Sequence, residues 1–267
     1  MTAAANDRFF IENNLRRAIS NGEFELYYQP QLTIGNQDNF SVEALLRWNH
    51  STLGMLPPLK FIPIAEETGI IVDIGSWVIK TAFEQLKKWN DAGLRINTMA
   101  INISLAQVHN GGLISCLKMN QMVTGINSTQ IELEVTESVL SKNIEKAKSI
   151  LGQAKKLGYT LSIDDFGTGY SSLNQLKKMP LHKLKIDKSF VDDVPGDVDD
   201  ETIIEAIIGL AKNLGLKVTP EGVETKKQER YLVGKGCTKV QGYLYSKPLP
   251  VKELEIWVSE NVSVIKK

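Results

Sequence analysis

Short apolar runs alternate with longer amphipathic stretches along most of the chain. Eight runs have the length and composition of strands: Phe24–Tyr28, Phe40–Leu46, Met99–Ile103, Ile131–Val135, Thr160–Asp164, His182–Ile186, Leu216–Thr219 and Lys239–Leu244. Most intervening stretches repeat apolar residues at helical spacing, for example Trp77–Trp89, Ser141–Leu157, Thr202–Leu214 and Lys226–Val233. This alternation predicts an α/β fold with a parallel sheet and helices outside it. Eight strands in 267 residues favour a (β/α)8 barrel, which commonly occupies about 250 residues as one domain.

The composition narrows the class of protein without pointing to an activity. Lysine plus arginine and aspartate plus glutamate each number 31, so the formal net charge is zero and DNA is not an expected partner. The two cysteines, Cys116 and Cys237, form neither a disulfide framework nor a zinc-spaced cluster. No apolar run is long enough to span a bilayer, and no secretory signal opens the chain. We therefore expect a cytoplasmic domain without direct membrane insertion.

Polar residues at strand ends are the candidates for chemistry, because reactive side chains of α/β barrels gather there. The second strand carries Glu43 and Arg47 on one face, where a carboxylate could hold a metal and an arginine a phosphate. An ordinary ion pair between them is the alternative. The third strand carries Asn102, whose amide oxygen suits a hard cation but could equally satisfy loop backbone.

The fourth and fifth strands add four acids. Glu132 and Glu134 share one face of a strand that parallel packing normally keeps apolar, which requires a salt bridge, solvent or a cation. Asp164 and Asp165 end the fifth strand, and in an extended strand their side chains face different directions. A turn capped by an aspartate explains one of them well and both poorly.

The last three strands add a lysine and further oxygen ligands. Lys185 points into the predicted barrel, so it must be paired with an acid or take part in the chemistry. Glu221 and Glu224 follow the seventh strand, although Glu224 could instead begin the next helix. Gln241 ends the eighth strand, where an amide that caps a loop is the alternative.

Together, these strand ends predict one site. Acids or amides from six strands would converge on a single mouth and would repel one another without cations. Ligation by oxygen alone favours Mg²⁺ or Mn²⁺ over zinc. Two such ions about 4 Å apart, beside a lysine, would suit in-line attack of a metal-activated water on a phosphodiester.

Nine ordered motifs carry a family resemblance. They are YYQP from Tyr27, EALLRW from Glu43, FIPIAEETG from Phe61, INIS from Ile101, ELEVTES from Glu132, DDFGTGYSSL from Asp164, KLKIDKSF from Lys183, EGVET from Glu221 and QGYLYSKPLP from Gln241. From about Leu15 to Pro250, the chain resembles the EAL-domain cyclic di-GMP phosphodiesterases. The resemblance implies a modified (β/α)8 barrel with one antiparallel strand. It also implies hydrolysis of cyclic di-GMP to linear pGpG with two Mg²⁺ or Mn²⁺ ions.

The resemblance also implies roles for individual residues. The metal-binding set it implies is Glu43, Asn102, Glu134, Asp164, Asp165 and Glu221, with Asp164 as the bridging ligand. The catalytic set is Lys185, Glu221, Asp164 and Glu43, and Lys185 matches the lysine near the attacking water. Glu221 matches a residue that could also serve as a general base, but a metal-bound water needs less help, which favours the ligand role.

Substrate contacts and a control element follow from the same resemblance. The substrate-binding positions it implies are Gln29, Arg47, Gln241 and Glu224, with Arg47 on phosphate and Gln241 supporting the site. Glu137 matches the acid that positions the loop Phe166–Ser172. That loop couples activity to dimerisation in the family, so a homodimer is expected.

The domain boundaries and two departures complete the prediction. Residues 1–21, with a helix over Asp7–Asn21, resemble the linker after a GGDEF domain, which implies an upstream GGDEF or sensor domain and leaves 22–260 for the barrel. Pro220 stands where the family usually has alanine, and its missing N–H puts the placement of Glu221 in question. His50-Ser51 replaces the usual His-Pro in a loop, with little consequence expected.

Two other functions compete with hydrolysis. A receptor could bind the dinucleotide without turnover, although the complete set of acids counts against it. A Schiff-base lyase could use Lys185 on the sixth strand of the barrel. Turnover in the presence of Mg²⁺ or Mn²⁺, and the effect of chelation on it, discriminate among the three.

Overall fold

The computed structural model describes residues 3–140, 143–169 and 173–262. The strands are β1 (Phe24–Thr33), β2 (Asn36–His50), β3 (Gly54–Leu56), β4 (Met99–Ile103), β5 (Ile131–Thr136), β6 (Thr160–Phe166), β7 (Lys183–Ile186), β8 (Lys217–Pro220) and β9 (Lys239–Gln241). The α-helices are α1 (Ala3–Ala18), α2 (Pro58–Thr68), α3 (Ile71–Asp91), α4 (Leu105–Asn110), α5 (Leu113–Thr124), α6 (Ile144–Lys156), α7 (Leu173–Lys178), α8 (Lys188–Val191), α9 (Val198–Asn213), α10 (Lys226–Gly234) and α11 (Val251–Asn261). Among these described helices, none combines the length and apolar character required to cross a bilayer.

Eight strands form a nearly closed barrel in the order β8-β7-β6-β5-β4-β2-β1-β9, and β3 pairs only with β2. Strands β2 and β4 to β8 run parallel, whereas β1 is antiparallel to both β2 and β9. The predicted modified barrel is confirmed, and β1 is its antiparallel strand. At the seam between β8 and β9, Val223 N–H donates to the Gln241 carbonyl (3.1 Å) and Leu244 N–H donates to that of Val223 (2.9 Å).

The element bounds differ from the predicted ones mainly at strand ends. The predicted strand Lys239–Leu244 stops at Gln241, because the chain turns at Gly242 beside the β8 loop. A Cβ on Gly242 would lie 2.0 Å from the Val223 carbonyl oxygen, so only glycine fits this close approach. Strand β2 extends to His50 and pairs with β3, a short strand that the apolar pattern does not predict. The leading helix is shifted to Ala3–Ala18, and its last predicted turn forms no helix.

The two faces of the barrel strands bury different kinds of side chain. Leu133, Ile163 and Leu184 alternate with the polar positions and are fully buried in the apolar core. On β5 to β7 the inward positions are polar, where α/β barrels usually place branched apolar residues. The lower inward layer contains an ion pair between Glu132 and Lys183, so the salt-bridge alternative for Glu132 is confirmed.

Candidate active site

Lys185 lies at the centre of a cluster of carboxylates at the C-terminal ends of the strands. Its ammonium is 2.8 Å from Glu134 Oε2, 3.1 Å from Asp164 Oδ1, 2.5 Å from Glu221 Oε1 and 3.4 Å from Glu43 Oε2. Only 1% of the lysine side chain is exposed. Burial disfavours the ammonium, but the surrounding carboxylates outweigh it and raise the pKa of Lys185 well above its ordinary value.

A Lys185 whose pKa is raised does not suit Schiff-base chemistry. A nucleophilic lysine needs a neutral amine, which a lowered pKa provides. The carboxylates around Lys185 have the opposite effect. The geometry therefore favours a lysine that organises or stabilises negative charge, and it disfavours the lyase alternative.

Asp164 and Asp165 reach the same cluster, contrary to the alternation expected of an extended strand. The pairing register of β6 with β7 shifts between Ile163 and Phe166, which marks a bulge at the two aspartates. Asp165 has φ 52°, a left-handed conformation that aspartate tolerates better than most residues. Carboxylate oxygens of Asp164, Asp165 and Glu221 consequently lie within 4.8 Å of one another. The expectation of opposite directions is wrong because the bulge reverses the alternation.

Several acids of the cluster have raised pKa values. Burial raises the pKa of Glu134 well above its ordinary value, and one of its oxygens is buried without a hydrogen-bond partner among the described residues. Burial also raises the pKa of Glu221 to about 8. Burial and the neighbouring Asp164 raise the pKa of Asp165 to about 6. Burial is the first cause of these shifts, and the single ammonium of Lys185 does not offset it for Glu134, Asp165 and Glu221.

Two overlapping groups of carboxylates could each hold a cation. One comprises Glu43, Glu134 and Asp164, and the other comprises Asp164, Asp165 and Glu221, so Asp164 belongs to both. Five carboxylates and one ammonium leave a formal charge of −4, which two divalent cations neutralise. The donor set is all oxygen, and the free oxygen of Glu134 is available for ligation. The residues present therefore fit a pair of Mg²⁺ or Mn²⁺ ions.

Amides surround Glu43 and favour its ionised form. Asn102 Nδ2 donates to Glu43 Oε1 (2.7 Å), and Gln241 Nε2 donates to Glu43 Oε2 (2.7 Å) and to Gln29 Oε1 (3.0 Å). Although burial opposes ionisation, Lys185 and these amides lower the pKa of Glu43. Asn102, predicted as a ligand, therefore also orients Glu43, with its amide nitrogen on that side.

The two glutamines predicted to bind substrate, Gln29 and Gln241, belong to the hydrogen-bond network that orients Glu43. Gln29 Nε2 donates to the Ser246 carbonyl (3.1 Å), and Gln31 Nε2 donates to Gln241 Oε1 (2.8 Å). The sequence analysis does not name Gln31, which pairs with Gln241 across β1 and β9. Its place two residues after Gln29, on the same face of a strand, is the signal that could have found it. Gln29 and Gln241 still line a cavity of about 240 Å³ at the barrel mouth.

Arg47 is held by an aromatic ring. Its guanidinium lies 5.4 Å from the centre of the Tyr27 ring and donates to the Leu46 carbonyl (2.8 Å). It forms no ion pair with Glu43 or any other described carboxylate, so the ion-pair alternative is wrong. Its remaining donors are free for an anionic ligand.

Glu224 lies at the rim of the mouth, outside α10, whose N-cap is Thr225. The alternative in which it begins that helix is therefore wrong. Glu224 Oε1 pairs with the Lys188 ammonium at 2.5 Å. The sequence does not predict the role of Lys188, because the two residues are 36 positions apart and share no local signal.

Glu137 contacts the loop after β6. Its Oε2 accepts hydrogen bonds from Gly167 N–H (3.3 Å) and Gly169 N–H (3.1 Å). A Cβ on Gly169 would lie 3.0 Å from the Glu137 carboxylate, so the two fit closely. Residues 170–172 of the predicted loop lie outside the described part of the chain.

Pro220 does not displace Glu221. Glu221 N–H donates to the Ile186 carbonyl of β7 (3.0 Å), so the backbone nitrogen of Pro220 points to the other side of β8. That side faces the seam with β9, where the described strands form no ladder, and no donor is missing there. Glu221 accordingly reaches Lys185.

Comparison with known proteins identifies the family. Residues 12–248 match the EAL domain. The chain is 39% identical over 254 residues to the bifunctional diguanylate cyclase/cyclic di-GMP phosphodiesterase MucR of Pseudomonas aeruginosa, covering 95% of this chain and 37% of that protein. It is 38% identical over 260 residues to the cyclic di-GMP phosphodiesterase PdeR of Escherichia coli. That match covers 96% of this chain and 39% of PdeR.

Solved structures agree with these matches. The PaMucR phosphodiesterase in its c-di-GMP complex superposes with a TM-score of 0.86, at 39% identity over 91% of this chain and 99% of that chain. The EAL enzyme Bd1971 in its cAMP- and cyclic-di-GMP-bound form superposes with a TM-score of 0.88 at 34% identity. The match covers 95% of this chain and 69% of that chain. The chain spans less than two fifths of the length of MucR and PdeR. It belongs to the EAL domain family.

Proposed function

We propose that this chain hydrolyses cyclic di-GMP to linear pGpG in a reaction that requires two Mg²⁺ or Mn²⁺ ions. The observation that carries the proposal is the cluster of five carboxylates around Lys185, which holds two overlapping ligand groups at the barrel mouth. Two relatives named as cyclic di-GMP phosphodiesterases and the MucR complex support the substrate. Such turnover would lower the concentration of a bacterial second messenger.

The metal ligands in this proposal are the strand-end oxygens. They are Glu43, Asn102, Glu134, Asp164, Asp165 and Glu221, with Asp164 shared between the two groups. Bound divalent cations would supply an activated water and neutralise charge on the phosphate. The bulge that turns Asp165 toward Asp164 is the local feature that makes a shared ligand possible.

The remaining residues bind, orient and stabilise. Lys185 keeps its charge among the acids and would stabilise negative charge that develops on the phosphate oxygens. Arg47, held against Tyr27, would bind phosphate with its free donors. Glu221 would act as a ligand, and Gln241 would keep Glu43 ionised and correctly oriented.

The regulatory assignments remain part of the proposal. Glu137 would fix the loop after β6 through Gly167 and Gly169 and thereby couple the site to a homodimer contact. An upstream GGDEF or sensor domain would act through α1, and the protein would work in the cytoplasm. The greater length of MucR and PdeR is consistent with additional domains of this kind.

Product analysis tests the proposed function. The chain is incubated with cyclic di-GMP in Mg²⁺, in Mn²⁺ and in excess EDTA, and the nucleotides are separated by ion-pair chromatography. We expect pGpG with either metal and none with EDTA. Binding of the dinucleotide without any pGpG in either metal would instead favour the receptor, and turnover unaffected by EDTA would remove the metal from the proposal.

A further inference from the structure

The last three strands of the barrel all begin with a lysine, at the end opposite the mouth. Strands β7, β8 and β9 begin at Lys183, Lys217 and Lys239. Because β8 is parallel to β7, and β9 is antiparallel to β1 as β2 is, the three strands share one direction. The period of two places Lys183 and Lys239 on the inward face, together with Lys185 and Gln241. The lower end of the barrel therefore gathers three lysines.

Lys239 is half-buried without a counter-charge. The carboxylates with the largest effect on it are Glu132 and Glu134. Both are already paired, Glu132 with Lys183 and Glu134 with the Lys185 ammonium at 2.8 Å. Lys239 itself forms no ion pair and no hydrogen bond with any residue that the structure describes. A lysine that has lost water in this way needs a negative partner to keep its proton.

The groups around the lower end are basic. Lys217 lies opposite Lys183 in the parallel pairing of β7 with β8. Burial, and then the neighbouring Lys155 and Lys183, lower the pKa of His182. Burial, and then Lys183, lower the pKa of Lys239 to about 7. The field at this end therefore opposes protonation of both groups and attracts an anion.

We infer that the lower end of the barrel binds a small oxyanion, such as sulfate or phosphate, at the ammonium of Lys239. The anion supplies the missing counter-charge, and the ammonium offers it up to three hydrogen bonds. Only 13% of the neighbouring Lys183 side chain is exposed, so the site is recessed and suits a free ion better than a membrane or a polymer. The inference does not rest on the proposed function, because the site lies at the opposite end from the mouth.

A sulfate titration tests the inference, because sulfate keeps its charge between about pH 6 and about pH 9. Protein containing 13C-labelled lysine is titrated without metal, and the non-exchanging Cε–Hε signals are followed by NMR. We expect a saturable shift of the Lys239 signal. The Kd should be at least about tenfold higher at about pH 9 than at about pH 6, because only the protonated fraction of Lys239 binds the anion.

Three variants separate the charge of Lys239 from other sulfate binding. Lys239→Met should raise the Kd at about pH 6 by at least about tenfold, since it removes the ammonium. Lys239→Arg should bind at both pH values alike, because the guanidinium does not titrate in this range. Lys252→Met is the matched control, since Lys252 is an exposed lysine in the first turn of α11, and it should bind like the wild type.

The contrary results are equally distinct. A wild-type Kd that is the same at both pH values, or saturable binding that persists in Lys239→Met, would overturn the inference. Shifts that grow linearly with sulfate, or that appear only at Lys185 and Lys188 near the mouth, would do the same. If Lys239→Met fails to fold, the comparison of the wild type with Lys239→Arg at the two pH values still decides the question.

Discussion

At the residue scale, Lys185 is the side chain on which the cluster depends. An ammonium removed from water loses much solvation energy, and here four carboxylates from four strands or strand ends restore it. The same contacts hold the carboxylates together. Replacing the lysine by an apolar residue removes both effects and leaves buried acids without their counter-charge.

We predict that Lys185→Met lowers kcat by about 10²- to 10³-fold, the range observed when one charge-stabilising donor is removed from an active site. Initial rates at saturating Mn²⁺ and saturating cyclic di-GMP measure kcat. The control is Lys183→Met, one inward position lower, whose partner Glu132 is outside the carboxylate cluster. That variant should lose stability but retain turnover, and equal losses of rate in both would contradict the specific role of Lys185.

The raised pKa values of two acids predict how stability depends on pH and metal. Asp165 has a pKa of about 6 and Glu221 of about 8, whereas the unfolded chain ionises both near about pH 4. Between these values the native state binds more protons than the unfolded state, so these two groups lower stability as pH rises. In protein treated with chelator, the melting temperature should therefore fall from about pH 5 to about pH 8.

Added Mn²⁺ should reverse that loss, because ligation needs the ionised acids. The increase in melting temperature caused by Mn²⁺ should be larger at about pH 8 than at about pH 5. Asp165→Asn removes one of the two groups and should flatten the lower half of the profile. A Mn²⁺ effect that is the same at both pH values would contradict the assignment of these acids as ligands.

At the scale of elements, the loop after β6 depends on glycines that admit the Glu137 carboxylate. Gly169→Ala would place a Cβ 3.0 Å from that carboxylate, at a position with no positive φ. We predict a fall in kcat/KM of about 10- to 100-fold, as expected when the support of a catalytic group is displaced. Gly152→Ala on α6 is the matched control, since nothing lies within 4 Å of its added Cβ. If both alanine variants keep wild-type kcat/KM, the loop does not depend on Glu137.

Strand β8 gives a prediction about a departure from the usual family sequence. The nitrogen of Pro220 faces the seam of the barrel, where the described strands form no ladder. Pro220→Ala should therefore leave kcat and KM within about twofold of the wild type and change stability by less than about 1 kcal/mol. A large loss of rate would show that the proline is required to place Glu221.

The sequence predicted some elements of the site and missed others for physical reasons. Alternation along β5 predicted that Glu132 and Glu134 point inward, because strand geometry fixes a period of two. The bulge at Asp164 and Asp165 was missed, since an inserted residue leaves no mark on alternation in a single sequence. The contact of Lys188 with Glu224 was missed because it joins the first residue of α8 to the distant loop before α10.

At the scale of the whole molecule, the barrel brings these separate segments to one mouth. The fold and its antiparallel strand were predicted from eight apolar runs and the family resemblance, and both are confirmed. The closing seam was not predictable, because it rests on loop backbone bonds between Val223, Gln241 and Leu244. Its closure brings Gln241 to Glu43 and completes the support of the cluster.

The central claim is that the two ligand groups sharing Asp164 drive hydrolysis of cyclic di-GMP. The most direct test is chromatography of the dinucleotide after incubation with Mn²⁺ and either the wild type or Asp164→Asn, which keeps the size of the side chain and removes its charge. We predict linear pGpG from the wild type and almost none from Asp164→Asn, with both proteins folded. No pGpG from the wild type, or equal amounts from the two, would contradict the claim.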